Sequence, residues 1–255
     1  MWSKALLASK KIISSDTRIF SFTLEHSEQT IGLPIGQHLM MRLRDPVTRE
    51  AIIRSYTPIS EGSEKGILNI LIKVYFDSVD REGGKMTKAL DSLPLGHPVD
   101  FKGPIGKFEY LGNGECKIGG KLRTVKRFIM ICAGSGVTPI FQVLRAVMQD
   151  KSDPTKCIVL DGNRAEEDIL CRAEIDQLAQ GNEHKATIIH TLTKPTETWT
   201  GLKGRVGTDL LAKEVGTCLG NGEDLILICG PENLEKSVHS ILGGLGWKDE
   251  DLLFF

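Results

Sequence analysis

The sequence of 255 residues predicts two domains of different class, an antiparallel β-barrel followed by a doubly wound α/β domain with a parallel sheet. Two patterns of apolar residues lead to this prediction. Up to about residue 112, short and partly alternating apolar runs are separated by turn residues, as is typical of antiparallel all-β structure. From about residue 127, continuous apolar runs alternate with amphipathic stretches, as is typical of a parallel sheet covered by helices.

The individual elements follow from these patterns. In the first half we predict strands at TRIFSFTLE, QHLMMRLR, AIIRSYTPIS, LNILIKVYF and HPVDFKGP, and a short helix at MTKALDSL. In the second half we predict strands at RFIMICAG, CIVLDGN, ATIIHTLT and DLILICGP, and helices at TPIFQVLRAVMQD, EEDILCRAEIDQLAQ, TDLLAKEV and NLEKSVHSILGG. The stretch 113–126 is rich in Gly and Lys, so it is predicted as a hinge between domains 1–112 and 127–255.

Composition and charge argue against several classes of protein. The chain is 40% apolar and 25% charged, which is typical of a globular protein, and a net charge of −1 gives no sign of a nucleic-acid partner. No apolar run approaches the ~20 residues that span a bilayer, and the N-terminus lacks the apolar core of a signal peptide. The six cysteines form no C-x-x-C pair and the six histidines have no ligand spacing. We therefore expect a cytoplasmic protein with reduced thiols, no membrane attachment and no protein-bound metal.

The loop AGSGVTP follows the first strand of the α/β half directly. Gly134 and Gly136 permit a tight turn and a close approach of a ligand to the backbone. Thr138 is predicted as the N-cap of the next helix and Pro139 as its first residue. Such a helix start presents N–H groups and a positive dipole end to an anion such as a pyrophosphate. Because Pro139 breaks the G-x-G-x-x-G spacing, a plain strand-to-helix turn is the alternative.

The stretch RSYTPIS in the barrel half combines a cation with an aromatic ring. In an extended strand, Arg54 and Tyr56 point to one face, and Ser55 and Thr57 point to the other. Pro58 then limits the strand. Arginine can bind a phosphate through two N–H groups, and tyrosine can lie against a ring or a ribose. An exposed strand without a ligand is the alternative.

Two further stretches have the residue types of a ligand site. Gly83 and Gly84 precede a helix that opens near Thr87, where a second phosphate could rest. Cys229 and Gly230 end the last strand of the α/β half, and open α/β sheets bind ligands at the carboxyl ends of their strands. For Cys229 the alternative is a small buried residue. A terminal aromatic residue could pack into a core or cover a ring.

In their order along the chain, RSYTPIS, GGKMT, GPIGKFEY, AGSGVTP, CGP and the terminal phenylalanine resemble the ferredoxin-reductase-like flavoproteins. The nearest branch resembles cytochrome-b5 reductase and, through GLPIGQHLM and YLGNGECKIGGKLR, the flavin domain of eukaryotic assimilatory nitrate reductase. The combination of RSYTPIS and GGKMT with Thr193 and Arg205 resembles the fungal type of that enzyme. The resemblance covers essentially the whole chain. The sequence contains no HPGG-type heme-binding stretch and no region similar to a molybdenum-cofactor domain. The resemblance therefore implies the flavin fragment of a larger enzyme.

The resemblance implies a barrel that binds FAD and an α/β domain that binds the nicotinamide nucleotide. It assigns FAD contacts to Arg54, Tyr56, Thr57, Ile72, Lys73, Tyr75, Gly84, Lys85, Met86, Thr87, Thr138 and Phe255. It assigns nucleotide contacts to Gly134, Gly136, Thr193, Arg205, Cys229 and Gly230. Of these residues, Thr57, Thr138 and Cys229 are expected beside the reacting rings. The loop FDSVDREGG is shorter than in free-standing reductases, so contacts from that loop are not carried over.

The activity that the resemblance implies is hydride transfer from the nicotinamide nucleotide to FAD, followed by single-electron transfer to a b-type heme domain. A free-standing cytochrome-b5 reductase and a non-catalytic nucleotide-binding module are the alternatives. His190 is interpreted as a strand residue rather than as a proton donor.

The strand that contains HTLT ends in Thr193, where NADH-using relatives tend to have an aspartate. A threonine does not repel a 2′-phosphate, and Arg205 supplies a fixed positive fork, with Lys194 and Lys203 nearby in sequence. A solvated basic loop is the alternative. We therefore expect NADPH to be preferred, with NADH as a possible second donor.

Overall fold

The computed structural model describes residues 1–45, 48–79 and 82–255, and the chain divides into two compact units, Met1–Gly106 and Lys107–Phe255. Residues 80 and 81 of the loop before the first helix lie outside the described residues. The stretch 113–126 contains two strands and belongs to the second unit. Its role as a hinge, and the domain bounds 1–112 and 127–255, stay predictions.

The first unit is built on an antiparallel six-stranded sheet, as predicted. Its elements are β1 (Ser3–Ile12), β2 (Thr17–Thr23), β3 (His38–Arg44), β4 (Ala51–Tyr56), β5 (Ile67–Lys73), α1 (Lys85–Ser92) and β6 (Pro98–Ile105). The strand order is β4-β3-β6-β1-β2-β5, and every pairing between neighbours is antiparallel. Strand β1 was not predicted, because only Ala5 and Leu7 of its ten residues are buried and lysines occupy exposed positions.

Alternation along the strands places the large apolar side chains of the first unit in one core. In β2, Phe20 and Phe22 are fully buried, while the intervening Ser21 is not. Phe22 packs edge-on against Phe101 of β6 with ring centroids 5.0 Å apart. The strand β4 ends at Tyr56, two residues before Pro58, as the sequence predicts.

The second unit begins with a small antiparallel sheet of β7 (Phe108–Gly112), β8 (Glu115–Ile118) and β9 (Lys121–Thr124). The larger sheet then consists of the strands β10 (Arg127–Ala133), β11 (Lys156–Asn163), β12 (Ala186–Leu192), β13 (Leu202–Lys203), β14 (Asp224–Cys229) and β15 (Leu252–Phe254). They lie in the order β13-β12-β11-β10-β14-β15, and all pairs are parallel. The middle residues of β10 and β14 are buried without interruption, as expected of parallel strands covered on both faces.

Four helices cover this sheet, namely α2 (Val137–Gln149), α3 (Arg172–Ala179), α4 (Thr208–Glu214) and α5 (Glu232–Gly244). Residues of α4 and α5 share a core cluster with Ile129 and Ile131 of β10, whereas α2 and α3 contact each other. The doubly wound architecture is therefore confirmed. Among the described residues, no helix is both long enough and apolar enough to cross a membrane.

One predicted helix is shorter than expected. The stretch EEDILCRAEIDQLAQ forms a single 3₁₀ turn at Glu166–Asp168 and then α3, with Cys171 between them in a left-handed conformation at φ 53°. The Asp168 carboxylate accepts a hydrogen bond from the Ala165 N–H at 3.2 Å, which closes the first turn on itself. The apolar Ile169 and Leu170 are buried, so the chain turns inward where a continuous helix was predicted.

Candidate functional site

The loop between β10 and α2 forms a 3₁₀ turn, Gly134–Gly136, that leads directly into the helix. Gly134 has φ 54°, a left-handed conformation that glycine adopts without strain. A β-carbon on Gly136 would overlap the carbonyl oxygen of Cys229 and lie 2.9 Å from Cα of Gly230. The turn and the end of β14 are therefore in close backbone contact, and only glycine fits at position 136.

The predicted helix cap at Thr138 is wrong. Helix α2 begins at Val137 with Gly136 as its N-cap, so Thr138 and Pro139 are its second and third residues. The Thr138 hydroxyl instead donates a hydrogen bond to the Ser135 carbonyl oxygen at 3.2 Å. Because the 3₁₀ turn comes before the helix, an anion at this helix start would lie against the glycine turn itself. The Gly134 N–H already donates to the side-chain oxygen of Asn163 at 3.3 Å, so it is not available to that anion.

Cys229 is the last residue of β14 and is half-buried. Burial is the main reason why the pKa of its thiol is raised to about 12, and the charge of Glu235 adds to the effect. Glu235 also accepts a hydrogen bond from the Gly230 N–H at 3.3 Å. At neutral pH the thiol is protonated, so it can fill space beside a ligand but is a poor nucleophile and a poor base.

Thr193 and Arg205, which are predicted to select the nucleotide, both lie near the end of β12. Gly204 donates its N–H to the Leu192 carbonyl at 2.8 Å, and its own carbonyl accepts from the Thr191 hydroxyl at 2.9 Å. Arg205 and Thr193 therefore each follow one member of a hydrogen-bonded pair, Gly204 and Leu192, and both are exposed. Lys203 lies in β13, which pairs with the end of β12, and the Lys194 N–H donates to the Arg164 carbonyl at 2.7 Å.

In the first unit, Arg54 and Tyr56 lie two residues apart near the end of β4. Arg54 is exposed, Tyr56 is half-buried and the following Thr57 is buried. Burial is the main reason why the pKa of the Tyr56 hydroxyl is raised to about 12; the positive charge of Arg54 opposes the shift. The hydroxyl is therefore a neutral hydrogen-bond donor at physiological pH. This edge of the sheet offers a cation and an aromatic face side by side.

The second predicted phosphate site, around Gly84 and the start of α1, is held together by hydrogen bonds to Tyr75 and Thr87. Gly84 is the N-cap of α1 and donates its N–H to the Tyr75 carbonyl at 2.8 Å. The Thr87 hydroxyl accepts from the Tyr75 N–H at 3.1 Å and donates to the Gly84 carbonyl at 3.2 Å. A β-carbon on Gly84 would lie 2.7 Å from the Thr87 side-chain oxygen, so a larger residue there would displace this hydroxyl from its hydrogen bonds. The helix thus begins at Lys85, and the N–H groups of its first turn have no partner within the helix.

Other residues that the resemblance assigned to FAD have structural contacts. The side chains of Ile72 and Met86 are almost fully buried in the core of the first unit, so only their backbone is available to a ligand. Lys73 pairs with Asp16 at 3.0 Å. Phe255 packs edge-on against Phe108 with centroids 6.0 Å apart.

The sequence patterns did not predict a polar network behind the glycine turn. The Asp161 carboxylate is hydrogen-bonded to both Asn163 and His190, and the Asn163 side-chain oxygen also accepts from the Gly134 N–H. Two polar residues at the end of the apolar run CIVLDGN were the available signal. Among the described residues, no cluster of three or more His, Cys, Asp or Glu side chains could hold a metal.

The residues present fit the two ligands that the fold family implies. In the first unit, an exposed arginine, a neutral tyrosine and a glycine cradle that a β-carbon would fill suit a dinucleotide with an aromatic ring. In the second unit, a glycine turn at a helix start suits a pyrophosphate.

Comparisons with known proteins agree with both units. Residues 4–110 match the model of an oxidoreductase FAD-binding domain, and residues 130–240 match that of an oxidoreductase NAD-binding domain. The whole chain is 61% identical to nitrate reductase [NADPH] of Leptosphaeria maculans and 57% identical to that of Beauveria bassiana. It spans about 28% of the length of each of these relatives.

Among solved structures, the cytochrome b5 reductase domain of Ulva prolifera nitrate reductase matches with a TM-score of 0.91 and 33% identity. This match covers 100% of the present chain and 97% of that domain. The chain therefore belongs to the family of FAD- and NAD-binding oxidoreductase domains that includes the cytochrome b5 reductase domain of nitrate reductase.

Proposed function

We propose that this chain is an FAD-dependent reductase that takes a hydride from NADPH and passes electrons singly to a b-type heme domain, as the flavin fragment of a nitrate reductase. The observation that carries the proposal is the arrangement of residues at the carboxyl ends of the parallel strands in the second unit. There the glycine turn contacts the end of β14 at Cys229, and Gly204, which precedes Arg205, is hydrogen-bonded to Leu192, which precedes Thr193. The name of the relatives at 61% and 57% identity supports NADPH as the donor.

In the first unit, Arg54 would pair with the FAD pyrophosphate, since its guanidinium is exposed and can present two N–H groups to one phosphate. The N–H groups at the start of α1, beside Gly84, would hold the second phosphate. Tyr56 would lie against the flavin or its ribityl chain with a neutral hydroxyl as donor, and Thr57 would contact the ring. When bound, FAD supplies hydride acceptance and the release of electrons one at a time.

In the second unit, the turn at Gly134 and Gly136 would receive the pyrophosphate of the nicotinamide nucleotide. Cys229 would fill the space beside the nicotinamide as a neutral thiol, which keeps water out without adding charge. Thr193 and Arg205 would bind the 2′-phosphate that distinguishes NADPH from NADH. Thr138 and Phe255 would complete the surroundings of the flavin, as the family resemblance implies.

The partner and the compartment belong to the same proposal. The chain spans about 28% of the curated relatives, so the heme domain would lie in the remainder of a longer protein or in a separate one. All six cysteines are free thiols, and four of them are buried. This supports a reducing compartment, and we propose the cytoplasm.

The proposal is tested with purified protein loaded with FAD. NADPH and NADH are supplied separately, and reduction of ferricyanide and of a b-type cytochrome is followed. We expect bleaching of the flavin by NADPH, faster turnover with NADPH than with NADH, and reduction of both acceptors. A strong preference for NADH would overturn the nucleotide assignment, and failure to reduce the cytochrome would overturn the heme acceptor. Failure of the flavin to bleach would reject the reductase itself.

A further inference from the structure

A row of polar side chains crosses the parallel sheet next to the glycine turn. The strand register pairs Cys229 with Cys132, Cys132 with Asp161, and Asp161 with His190. Register partners in a parallel sheet point to the same face, and Asn163, two residues beyond Asp161, points to that face as well. A carboxyl group, an imidazole and an amide therefore lie inside a sheet whose neighbouring residues are apolar.

The contacts in this row fix the direction of each hydrogen bond. Asp161 is 1% exposed, and one of its carboxylate oxygens lies 3.1 Å from Nδ1 of His190 and 2.8 Å from Nδ2 of Asn163. An ionised carboxylate only accepts hydrogen bonds, so it must face the amide NH₂ of Asn163 and an N–H of His190. The other carboxylate oxygen accepts from the Cys132 thiol at 3.5 Å.

This arrangement orients the amide of Asn163. With its NH₂ held by Asp161, its oxygen points to the N–H of Gly134 at 3.3 Å. If the amide were flipped, its oxygen would meet the carboxylate and its NH₂ would meet the Gly134 N–H, so both contacts would become repulsive. Asp161 thus determines whether the glycine turn has an acceptor for its first N–H group.

The backbone of the same asparagine holds a second part of the proposed nucleotide site. The Asn163 carbonyl accepts a hydrogen bond from the Thr193 N–H at 3.1 Å. Asn163 therefore links the glycine turn through its side chain and the end of β12 through its backbone. Substitution of the side chain removes the first link and keeps the second.

Burial of a carboxylate is costly unless the charge is paired and hydrogen-bonded, and apolar side chains of similar size would fill the same space at lower cost. The His190 side chain is 10% exposed, and its second nitrogen lies 3.6 Å from the Asp176 carboxylate, so the ring lies between two carboxyl groups. The hydrogen bonds of the polar row thus fix the orientation of the Asp161 side chain.

We propose that Asp161 and Asn163, clamped by His190, are positioning residues that hold the Gly134–Gly136 turn in the conformation that receives the pyrophosphate of the nicotinamide nucleotide. The inference rests on the proposed function, because it assigns the ligand of the turn. The role proposed for these residues differs from that of Arg205, whose proposed contact is the 2′-phosphate alone. NADPH and NADH share the pyrophosphate, so loss of the Asn163 side chain should weaken both nucleotides equally.

The test measures dissociation constants of NADP⁺ and NAD⁺ by titration calorimetry on FAD-loaded protein, together with KM and kcat for NADPH and NADH. For Asn163→Ala we expect both dissociation constants and both KM values to rise about five- to tenfold, the effect of losing one buried hydrogen bond. We expect kcat to change less than twofold and the FAD content to equal that of the wild type. Asn163→Ser, whose side chain is too short to reach Gly134, should give the same result if the alanine variant does not fold.

Asn182→Ala is the matched control, because Asn182 is also a buried asparagine and donates to the Leu178 carbonyl at 2.8 Å, away from the turn. It should leave both dissociation constants unchanged. Asp161→Asn, whose amide oxygen can still accept from Asn163, should retain more affinity than Asp161→Ala. Unchanged dissociation constants in both Asn163 variants, or a loss confined to NADP⁺, would overturn the inference while the wild type still binds. A wild type that binds neither nucleotide would overturn the proposed function and this inference with it.

Discussion

The two units place their candidate ligand residues in different ways. In the second unit they lie at the carboxyl ends of neighbouring parallel strands, so Gly134, Cys229 and Thr193 come from distant parts of the sequence to one edge. In the first unit, Arg54 and Tyr56 lie two residues apart on one antiparallel strand. A parallel sheet fixes the location of a site through its topology. In an antiparallel sheet, the location of a site depends instead on which side chains alternate onto the same face.

The units also differ in what surrounds those residues. Arg54 is exposed, so its proposed role is direct contact with a ligand. In the second unit, the Gly136 backbone presses against Cys229, and a buried polar row lies behind the glycine turn. We therefore expect substitutions in the second unit to act through the position of the backbone, and substitutions in the first to act through a lost contact.

The largest effect is expected from Gly136→Ala. The added β-carbon overlaps the Cys229 carbonyl, so the turn and the end of β14 must separate. We expect reduction of ferricyanide by NADPH to fall about 100-fold, since small displacements of reacting groups are costly, while bound FAD is retained. Gly243→Ala is the control, because a β-carbon in that position of α5 meets no atom within 4 Å. Equal FAD content with wild-type turnover in Gly136→Ala would contradict the backbone role.

Arg54→Ala tests whether substitutions in the first unit act through a lost contact with the ligand. Loss of a charge-assisted contact to a phosphate should weaken FAD binding about 10- to 100-fold. Affinity is measured by fluorescence of released flavin during dilution, with Arg44→Ala on the neighbouring strand β3 as the control. If Arg54→Ala instead weakened only the nicotinamide nucleotide, the assignment of the first unit to FAD would be wrong.

A direct contact is also expected within the second unit, at Arg205. For Arg205→Ala we expect KM for NADPH to rise about 10- to 30-fold and KM for NADH to change less than twofold, because only NADPH carries the 2′-phosphate. Lys213→Ala, another exposed cation of the second unit on α4, serves as the control. Equal losses for the two nucleotides would contradict the 2′-phosphate role and would make Arg205 resemble Asn163.

The smallest effect is expected from Cys229→Ala, about a tenfold fall in the rate of flavin reduction, because a cavity replaces the thiol beside the nicotinamide. The pKa of the thiol is raised from 9.0 to about 12, so it stays protonated up to at least pH 9. Wild type and variant should therefore have pH–rate profiles of the same shape between about pH 6 and about pH 9. A profile in which the variant loses an inflection would show that a thiolate takes part.

The same shift has a consequence for stability. Above pH 9 the thiol ionises in the unfolded chain but stays neutral in the folded one, so the raised pKa costs stability as the pH rises from 9 towards 12. Alkaline unfolding of Cys229→Ala should depend less steeply on pH over that range.

The alternation of elements in both halves was predictable because each strand and helix has its own local pattern of apolar residues. The strand β15 was not predicted, since its three residues are defined by pairing with β14 rather than by a pattern. The cap at Thr138 was misplaced because the sequence does not reveal that the chain starts to coil at Gly134. The pairing of Asp161 with His190 depends on the register of β11 and β12, which no short stretch encodes.

The contact at Gly136 has a consequence for protein engineering. The atom that excludes a side chain there is a carbonyl oxygen of the main chain at position 229, not the sulfur of the cysteine. A library that varies the side chain at position 229 therefore leaves this contact intact, whatever residue it introduces. A library that varies position 136 conflicts with the backbone in every member except glycine. Efforts to change the electron donor or the turnover rate of this domain should randomise position 229 and keep Gly136 fixed.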